Sequence, residues 1–168
     1  MKRGLVLLGV LFFATVTFAA FDDVVSEVTN KKVQSNASPS VDLSTLAFEK
    51  EIGGFSYNSS KATLPSIESR IKIVMKAILP LIQKIPTTYK IKIIGYADAS
   101  GPEYAEGNKQ GNQELSLKRA KSVMEFIVKN YNLSADRFEV VGKGSKELKD
   151  SAHPKSSKNR RVVIKFQP

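Results

Sequence analysis

Apolar positions recur first with a helical period and then with a strand period along most of the chain. A helix is predicted after Pro65 by apolar residues three or four positions apart: Ile67, Ile71, Val74, Ile78 and Leu81. Pro80 lacks a backbone donor, so this helix should end or kink near it. A second helix is predicted from about Ser116, a plausible N-cap, to Asn130. Its apolar face is formed by Ala120, Val123, Phe126 and Ile127.

Four stretches are predicted to be strands, and in the second and the last of them apolar residues alternate with charged ones. These stretches are Gly53 to Tyr57, Tyr89 to Gly95, Arg137 to Val141, and a last strand that contains Val162, Ile164 and Phe166. The resulting order, β-α-β-α-β-β, predicts an α/β two-layer sandwich in which the helices pack on one face of a mixed sheet. The order of the strands within that sheet does not follow from the sequence.

The start of the chain predicts a secreted protein. Lys2 and Arg3 precede an uncharged, mostly apolar run to Ala20, and small residues stand at its close. We interpret 1–19 as a cleaved signal peptide, with an uncleaved membrane anchor as the alternative. Residues 20–48 are polar and predict a tether to a folded domain at 49–168. In the alternative, Leu43, Leu46 and Phe48 pack on that domain.

Composition narrows the chemistry. The 168 residues carry 26 Lys and Arg against 16 Asp and Glu, a formal charge of +10 that favours anionic partners. Cysteine is absent, which excludes disulfides, thiol nucleophiles and a Cys-linked lipid. The one histidine, His153, follows no metal-ligand spacing and is expected at the surface. We therefore expect no metal, no cofactor and no enzymatic activity.

Two charged residues are candidates for ligand binding. Asp98 follows the predicted strand ending at Gly95, a favoured ligand position in α/β sheets; a turn-forming Asp is the alternative. Arg119 falls in the first turn of the predicted second helix, where a cation is disfavoured unless an anion compensates. That anion is a ligand carboxylate or, in the alternative, Asp98 or Glu114.

Asn159 and Arg160 precede the last strand and add an amide and a guanidinium. A carboxylate together with guanidinium groups is complementary to a zwitterion, with the ammonium on the carboxylate and the carboxylate on the guanidinium fork. The sequence thus predicts a receptor for a doubly charged amino-acid group.

Three motifs resemble those of OmpA-like peptidoglycan-binding domains, the type also found in Pal and MotB. Residues 112–123 read N-Q-E-L-S-L-K-R-A-K-S-V, similar to that family's N-x-x-L-S-x-x-R-A-x-x-V. Gly95 to Gly101 resembles its G-[HY]-[TA]-D-x-x-G turn, and 159–162 its N-R-R-V. The resemblance covers roughly Glu51 to Phe166. It implies an OmpA-C-like sandwich that holds the diaminopimelate residue of peptidoglycan stem peptides.

The resemblance also implies a role for each matching residue. Asp98 would bind the diaminopimelate ammonium, and Arg119 the ligand carboxylate. Ala120 would approach the ligand at the helix start, with Asn112 beside it. Arg160 would add a second cation and Asn159 would fix the entry of the strand. Residues 57–62 loosely resemble the family's first-strand segment, which adds Asn58 and Ser60 to the expected site.

The sequence departs from the family at two places. Ala97 stands where the family usually has Thr, and residues 102–111 lengthen one link by about six residues, which a surface loop tolerates. The implied function is noncovalent peptidoglycan binding by a secreted envelope protein, in the periplasm or at the outer membrane, linking envelope components to the wall.

Other functions remain as alternatives: an accessory component of a membrane machine, a wall-modifying enzyme, or a nonspecific binder of nucleic acid or other anions. We expect no nucleic-acid partner, because the secretory signal and the scarcity of basic-aromatic patches argue against one. Other envelope proteins or the outer membrane are possible partners.

Overall fold

The computed structural model describes residues 41–61 and 64–168. The predicted signal peptide, 1–19, and residues 20–40 of the predicted tether lie outside the described residues. The regular elements follow one another as β1 (Phe48–Gly53), α1 (Pro65–Ile82), β2 (Ile91–Gly95), α2 (Asn112–Tyr131), β3 (Phe138–Gly142) and β4 (Arg161–Phe166). This order confirms the predicted β-α-β-α-β-β chain. Neither helix is long and apolar enough to cross a membrane.

The four strands form one mixed sheet in the order β1-β4-β2-β3. β2 and β3 are parallel, and β4 runs antiparallel to both of its neighbours, β1 and β2. Residues from both helices and all four strands share one buried apolar cluster, with Ile71, Ile93 and Ile164 among its fully buried members. The fold class predicted from the sequence is therefore confirmed.

The first strand lies earlier than predicted. β1 spans Phe48–Gly53, not Gly53 to Tyr57, and only Ile52 within it is fully buried. This strand was not predicted because its exposed residues Glu49, Lys50 and Glu51 are all charged, so the apolar pattern that indicates a strand is missing from this edge strand. Leu46, two residues before β1, is buried in the core, and Leu43 and Phe48 pack against that core. These three residues therefore pack on the domain, which is the alternative that the sequence left open.

The second helix also begins earlier than predicted, at Asn112 with Gly111 as the N-cap, so Ser116 is not a cap. The hydroxyl of Ser116 is fully buried inside the helix, where it donates to the carbonyl of Gln113 and accepts from the amide of Gly144. A serine that resembles a helix start in the sequence instead joins the helix to the turn after β3.

Candidate functional site

The sheet topology brings four chain segments to one edge. β1, β2 and β3 run in the same direction and β4 runs against them. The carboxyl ends of the first three strands and the amino end of β4 therefore meet. Asp98 follows β2 and Arg160 directly precedes β4, so the topology places both at this edge.

Asp98 is buried beside Arg160. Asp98 is 3% exposed, and its Oδ2 lies 2.6 Å from Nη1 of Arg160. Among the described residues, its Oδ1 accepts only a long bond, 3.3 Å, from the backbone amide of Ser100. The turn-forming role is thus present but weak, and the ion pair is the stronger contact of this carboxylate.

Arg119 is fully buried below the same loops. Its three guanidinium nitrogens donate to the backbone carbonyls of Ser59 (2.9 Å), Tyr96 (3.1 Å) and Ser56 (3.1 Å). Its charge also lies 5.6 Å from the centre of the Phe55 ring. Burial lowers the pKa of Arg119 to about 10; nearby Asp98 raises it and nearby Arg160 lowers it. The guanidinium is thus charged at neutral pH and close to both other groups.

Two expectations about this helix are wrong. Arg119 lies two turns inside α2, which begins at Asn112, so the helix dipole does not explain its need for partners. Ala120 therefore does not lie at the helix start; it is fully buried at the contact with Gly95 of β2. Arg119 also pairs with neither alternative anion, since Asp98 bonds Arg160 and Glu114 bonds Lys118.

Arg160 completes what we call the charged cluster, defined as Asp98, Arg119 and Arg160. Its Nε donates to the carbonyl of Phe55 at 2.7 Å, and its side chain is 17% exposed. The two guanidinium groups together therefore hold the segment after β1 through three of its carbonyls. Arg161, the next residue, lies over the ring of Tyr96 at 3.7 Å and belongs to a different contact.

Asn112 and Asn159 are both buried and both act on loops around the cluster. Asn112 donates to the carbonyl of Gly101 at 2.9 Å and, at 3.4 Å, to the hydroxyl of Ser145. The amide of Asn159 accepts from the backbone N–H of Asp150 and donates to three carbonyls of the same turn, Asp150, His153 and Pro154. In the same turn, the carbonyl of Pro154 accepts from the backbone amide of Ala99, the residue that follows Asp98.

Asn58 and Ser60 lie in the segment held by the arginines. Asn58 is exposed and has a left-handed backbone, with φ of +52°. The carbonyl of Ser60 accepts from the hydroxyl of Ser122, and Ser60 lines a groove of about 450 Å³ between the two helices. These two residues therefore flank Ser59, whose carbonyl accepts from Arg119.

Sequence reasoning missed the carbonyls that hold the two arginines. Phe55, Ser56, Ser59 and Tyr96 accept these hydrogen bonds through backbone oxygens, which leave no trace in side-chain patterns. The described residues contain no group of three or more His, Asp or Glu side chains placed to hold a metal ion.

The fold has solved counterparts. The periplasmic domain of Helicobacter pylori MotB aligns with a TM-score of 0.53 at 23% identity, covering 72% of this chain and 82% of that one. The peptidoglycan-associated lipoprotein from Burkholderia pseudomallei aligns with a TM-score of 0.50 at 20% identity, covering 70% and 90%. At these identities the likeness shows the fold, that of OmpA-like domains.

A curated relative adds sequence similarity. Outer membrane protein 41 of Porphyromonas gingivalis is 35% identical over 81 residues, which are 47% of this chain. The matched part spans only 18% of that protein. This relative is thus named for the outer membrane, and the MotB domain for the periplasm.

The family match includes all three residues of the charged cluster. Residues 56–161 match the OmpA family, and Asp98, Arg119 and Arg160 all fall within that range. Domains of this family are generally non-enzymatic, and they typically bind peptidoglycan in envelope proteins. This chain belongs to the OmpA family.

Proposed function

We propose that this protein binds peptidoglycan noncovalently through the diaminopimelate residue of the stem peptide. The observation that carries the proposal is the charged cluster, in which one carboxylate is paired with the guanidinium of Arg160 and acts electrostatically on that of Arg119. The end of diaminopimelate carries an ammonium and a carboxylate on one carbon. Its charges are complementary to such a cluster.

The ammonium is assigned to Asp98. The Oδ1 atom of Asp98 has only the long contact with Ser100, so it can accept a stronger, charge-assisted bond from a ligand. Burial favours this contact, because a charge pair interacts more strongly where water is excluded.

The carboxylate is assigned to the two guanidinium groups. Arg160 is partly exposed and can be reached first. Arg119 uses three of its five N–H groups on carbonyls of the described residues, which leaves two for a ligand. Because Arg119 is fully buried, residues 56–60 must move away from it before a ligand can reach its guanidinium.

The remaining predicted residues support the cluster in this proposal. Asn112 and Asn159 hold the loops on either side of Asp98. Asn58 and Ser60 belong to residues 56–60, which move when the ligand reaches Arg119. Ala120 lets the helix approach the sheet closely, which sets the depth of Arg119.

Location and partners follow from the same proposal. A predicted signal peptide, a family typical of envelope proteins and outer-membrane or periplasmic relatives support a place in the periplasm or at the outer membrane. There the protein would link the wall to other envelope components. The absence of a predicted nucleophile or metal site in the sequence supports a binding role rather than an enzymatic one.

Binding to purified sacculi tests this function. We expect Asp98→Asn to reduce cosedimentation about ten-fold or more, since a charge-assisted hydrogen bond contributes about 1.5–3 kcal/mol. Asp136→Asn is the matched control, because Asp136 is exposed and precedes β3 at the opposite edge of the sheet. Thermal unfolding of each variant establishes that it is folded.

Two results would contradict the proposal. One is undiminished cosedimentation of a folded Asp98→Asn protein, which would remove the cluster from the binding site. The other is release of soluble muropeptides from sacculi by the wild-type protein, which would indicate a wall-cleaving enzyme.

A further inference from the structure

The segment 102–111, where this chain is longer than the family pattern, is fixed to the start of α2. The carbonyls of Pro102 and Glu103 accept the amides of Asn112 and Gln113 at 2.8 and 3.0 Å. These amides belong to the first helical turn, which has no partners within the helix. The segment therefore begins as a cap on the helix that carries Arg119.

The same segment is fixed to the turn after β3. The carboxylate of Glu103 accepts from both the amide (3.0 Å) and the hydroxyl (2.6 Å) of Ser145. The residues that follow these two, Tyr104 and Lys146, are also in contact. Lys146 donates to the hydroxyl of Tyr104 at 3.1 Å, and its Nζ lies 5.4 Å from the centre of the Tyr104 ring. We call these last two residues the Tyr104–Lys146 pair.

This pair stands near the charged cluster. The amide of Ala97, which precedes Asp98, donates to the carbonyl of Gly144 at 2.8 Å. Lys146 is two residues beyond Gly144. The turn that carries Lys146 is therefore hydrogen-bonded directly to the residue that precedes Asp98.

The pair is open to solvent. The Tyr104 residue is 64% exposed, and Lys146 is exposed as well. The hydrogen bond with Tyr104 raises the pKa of Lys146, so the ammonium stays charged at neutral pH. The charge of Glu103, whose carboxylate accepts from Ser145, also raises the pKa of Lys146, while Glu147 bonds Lys143. No carboxylate of the described residues lies within ion-pair distance of Lys146, so its ammonium can form a direct ion pair with a ligand carboxylate.

We propose that the Tyr104–Lys146 pair binds a second, free carboxylate of the stem peptide, on the residue next to diaminopimelate. This inference rests on the proposed function. It makes residues 102–111 a specificity element: the protein distinguishes a stem whose neighbouring carboxyl is free from one in which it is amidated, because an amide carries no charge for Lys146.

Two synthetic stem peptides test the inference. Both contain diaminopimelate and differ only in whether the neighbouring carboxyl is free or amidated. Titrated into the full-length wild-type protein, the free form should bind about three- to five-fold more tightly, the range of an exposed ion pair. Lys146→Gln should abolish that preference by weakening the free form alone. Tyr104→Phe, which loses the hydroxyl that orients Lys146, should reduce the preference in part.

The matched control is Lys121→Gln, because Lys121 is an exposed lysine on α2; it should keep the full preference. Equal affinity of the wild type for both peptides, or an equal loss on both in Lys146→Gln, overturns this inference and leaves the proposed function intact. If neither peptide binds, or if Asp98→Asn binds both as the wild type does, the proposed function fails and this inference fails with it.

Discussion

At the residue scale, Arg119 combines two functions in one side chain. Its charge adds to the cluster that we assign to the ligand, while its N–H groups hold the carbonyls of Ser56, Ser59 and Tyr96. A buried guanidinium is stable only when such partners replace water. The same residue therefore contributes to the folded state before any ligand is bound.

Arg119→Met tests this structural contribution. Methionine has a similar length but no donor, so the carbonyls of Ser56, Ser59 and Tyr96 lose the guanidinium that bonds them. We expect a loss of about 2–5 kcal/mol in the free energy of unfolding, measured by chemical denaturation. Lys121→Met, at an exposed position two residues away, should change it by less than about 0.5 kcal/mol. Equal stability of the two variants would contradict the contacts described for Arg119.

The charged side chains of the site could be predicted from the sequence, but their partners could not. Asp98, Arg119 and Arg160 occupy motif positions, and the structure brings all three together. That Asp98 pairs with Arg160 rather than Arg119 depends on the depth of α2 below the sheet. That depth is set by backbone contacts, which side-chain spacing does not encode.

At the element scale, the contact between α2 and β2 sets that depth. A Cβ added at Gly95 would lie 1.9 Å from the backbone oxygen of Ser116 and 3.3 Å from Cβ of Ala120. Only glycine lets the helix backbone come this close to the strand. The sequence predicted both elements, but it misplaced the start of α2 by four residues, because Ser116 resembles a cap and in fact bonds the turn after β3.

Gly95→Ala tests this packing. The added methyl group must push α2 away from the sheet, so we expect a loss of about 1–3 kcal/mol or more in the free energy of unfolding. Gly53→Ala is the matched control, since its Cβ would find its nearest neighbour at an ordinary 3.8 Å. Thermal and denaturant unfolding compare the two. A Gly95→Ala protein as stable as Gly53→Ala would show that the helix has room to move.

At the scale of the whole molecule, the sheet topology gathers the site from distant parts of the chain. Phe55 and Arg160, which share a hydrogen bond, lie 105 positions apart in sequence. The β-α-β-α-β-β order predicted the layers, but only the order β1-β4-β2-β3 places the amino end of β4 between the carboxyl ends of β1 and β2. Pairing of this kind is decided by the complete sheet and could not be inferred from any one segment.

A titration of two stem peptides, one with diaminopimelate and one with lysine at the same position, tests the central claim most directly. Lysine keeps the ammonium but lacks the neighbouring carboxylate, so it offers the two guanidinium groups no carboxylate to bind. We predict that the lysine peptide binds the full-length protein about ten-fold or more weakly, from the loss of charge-assisted bonds of about 1.5–3 kcal/mol. Equal affinity for the two peptides would contradict the assignment of the charged cluster to a zwitterionic ligand.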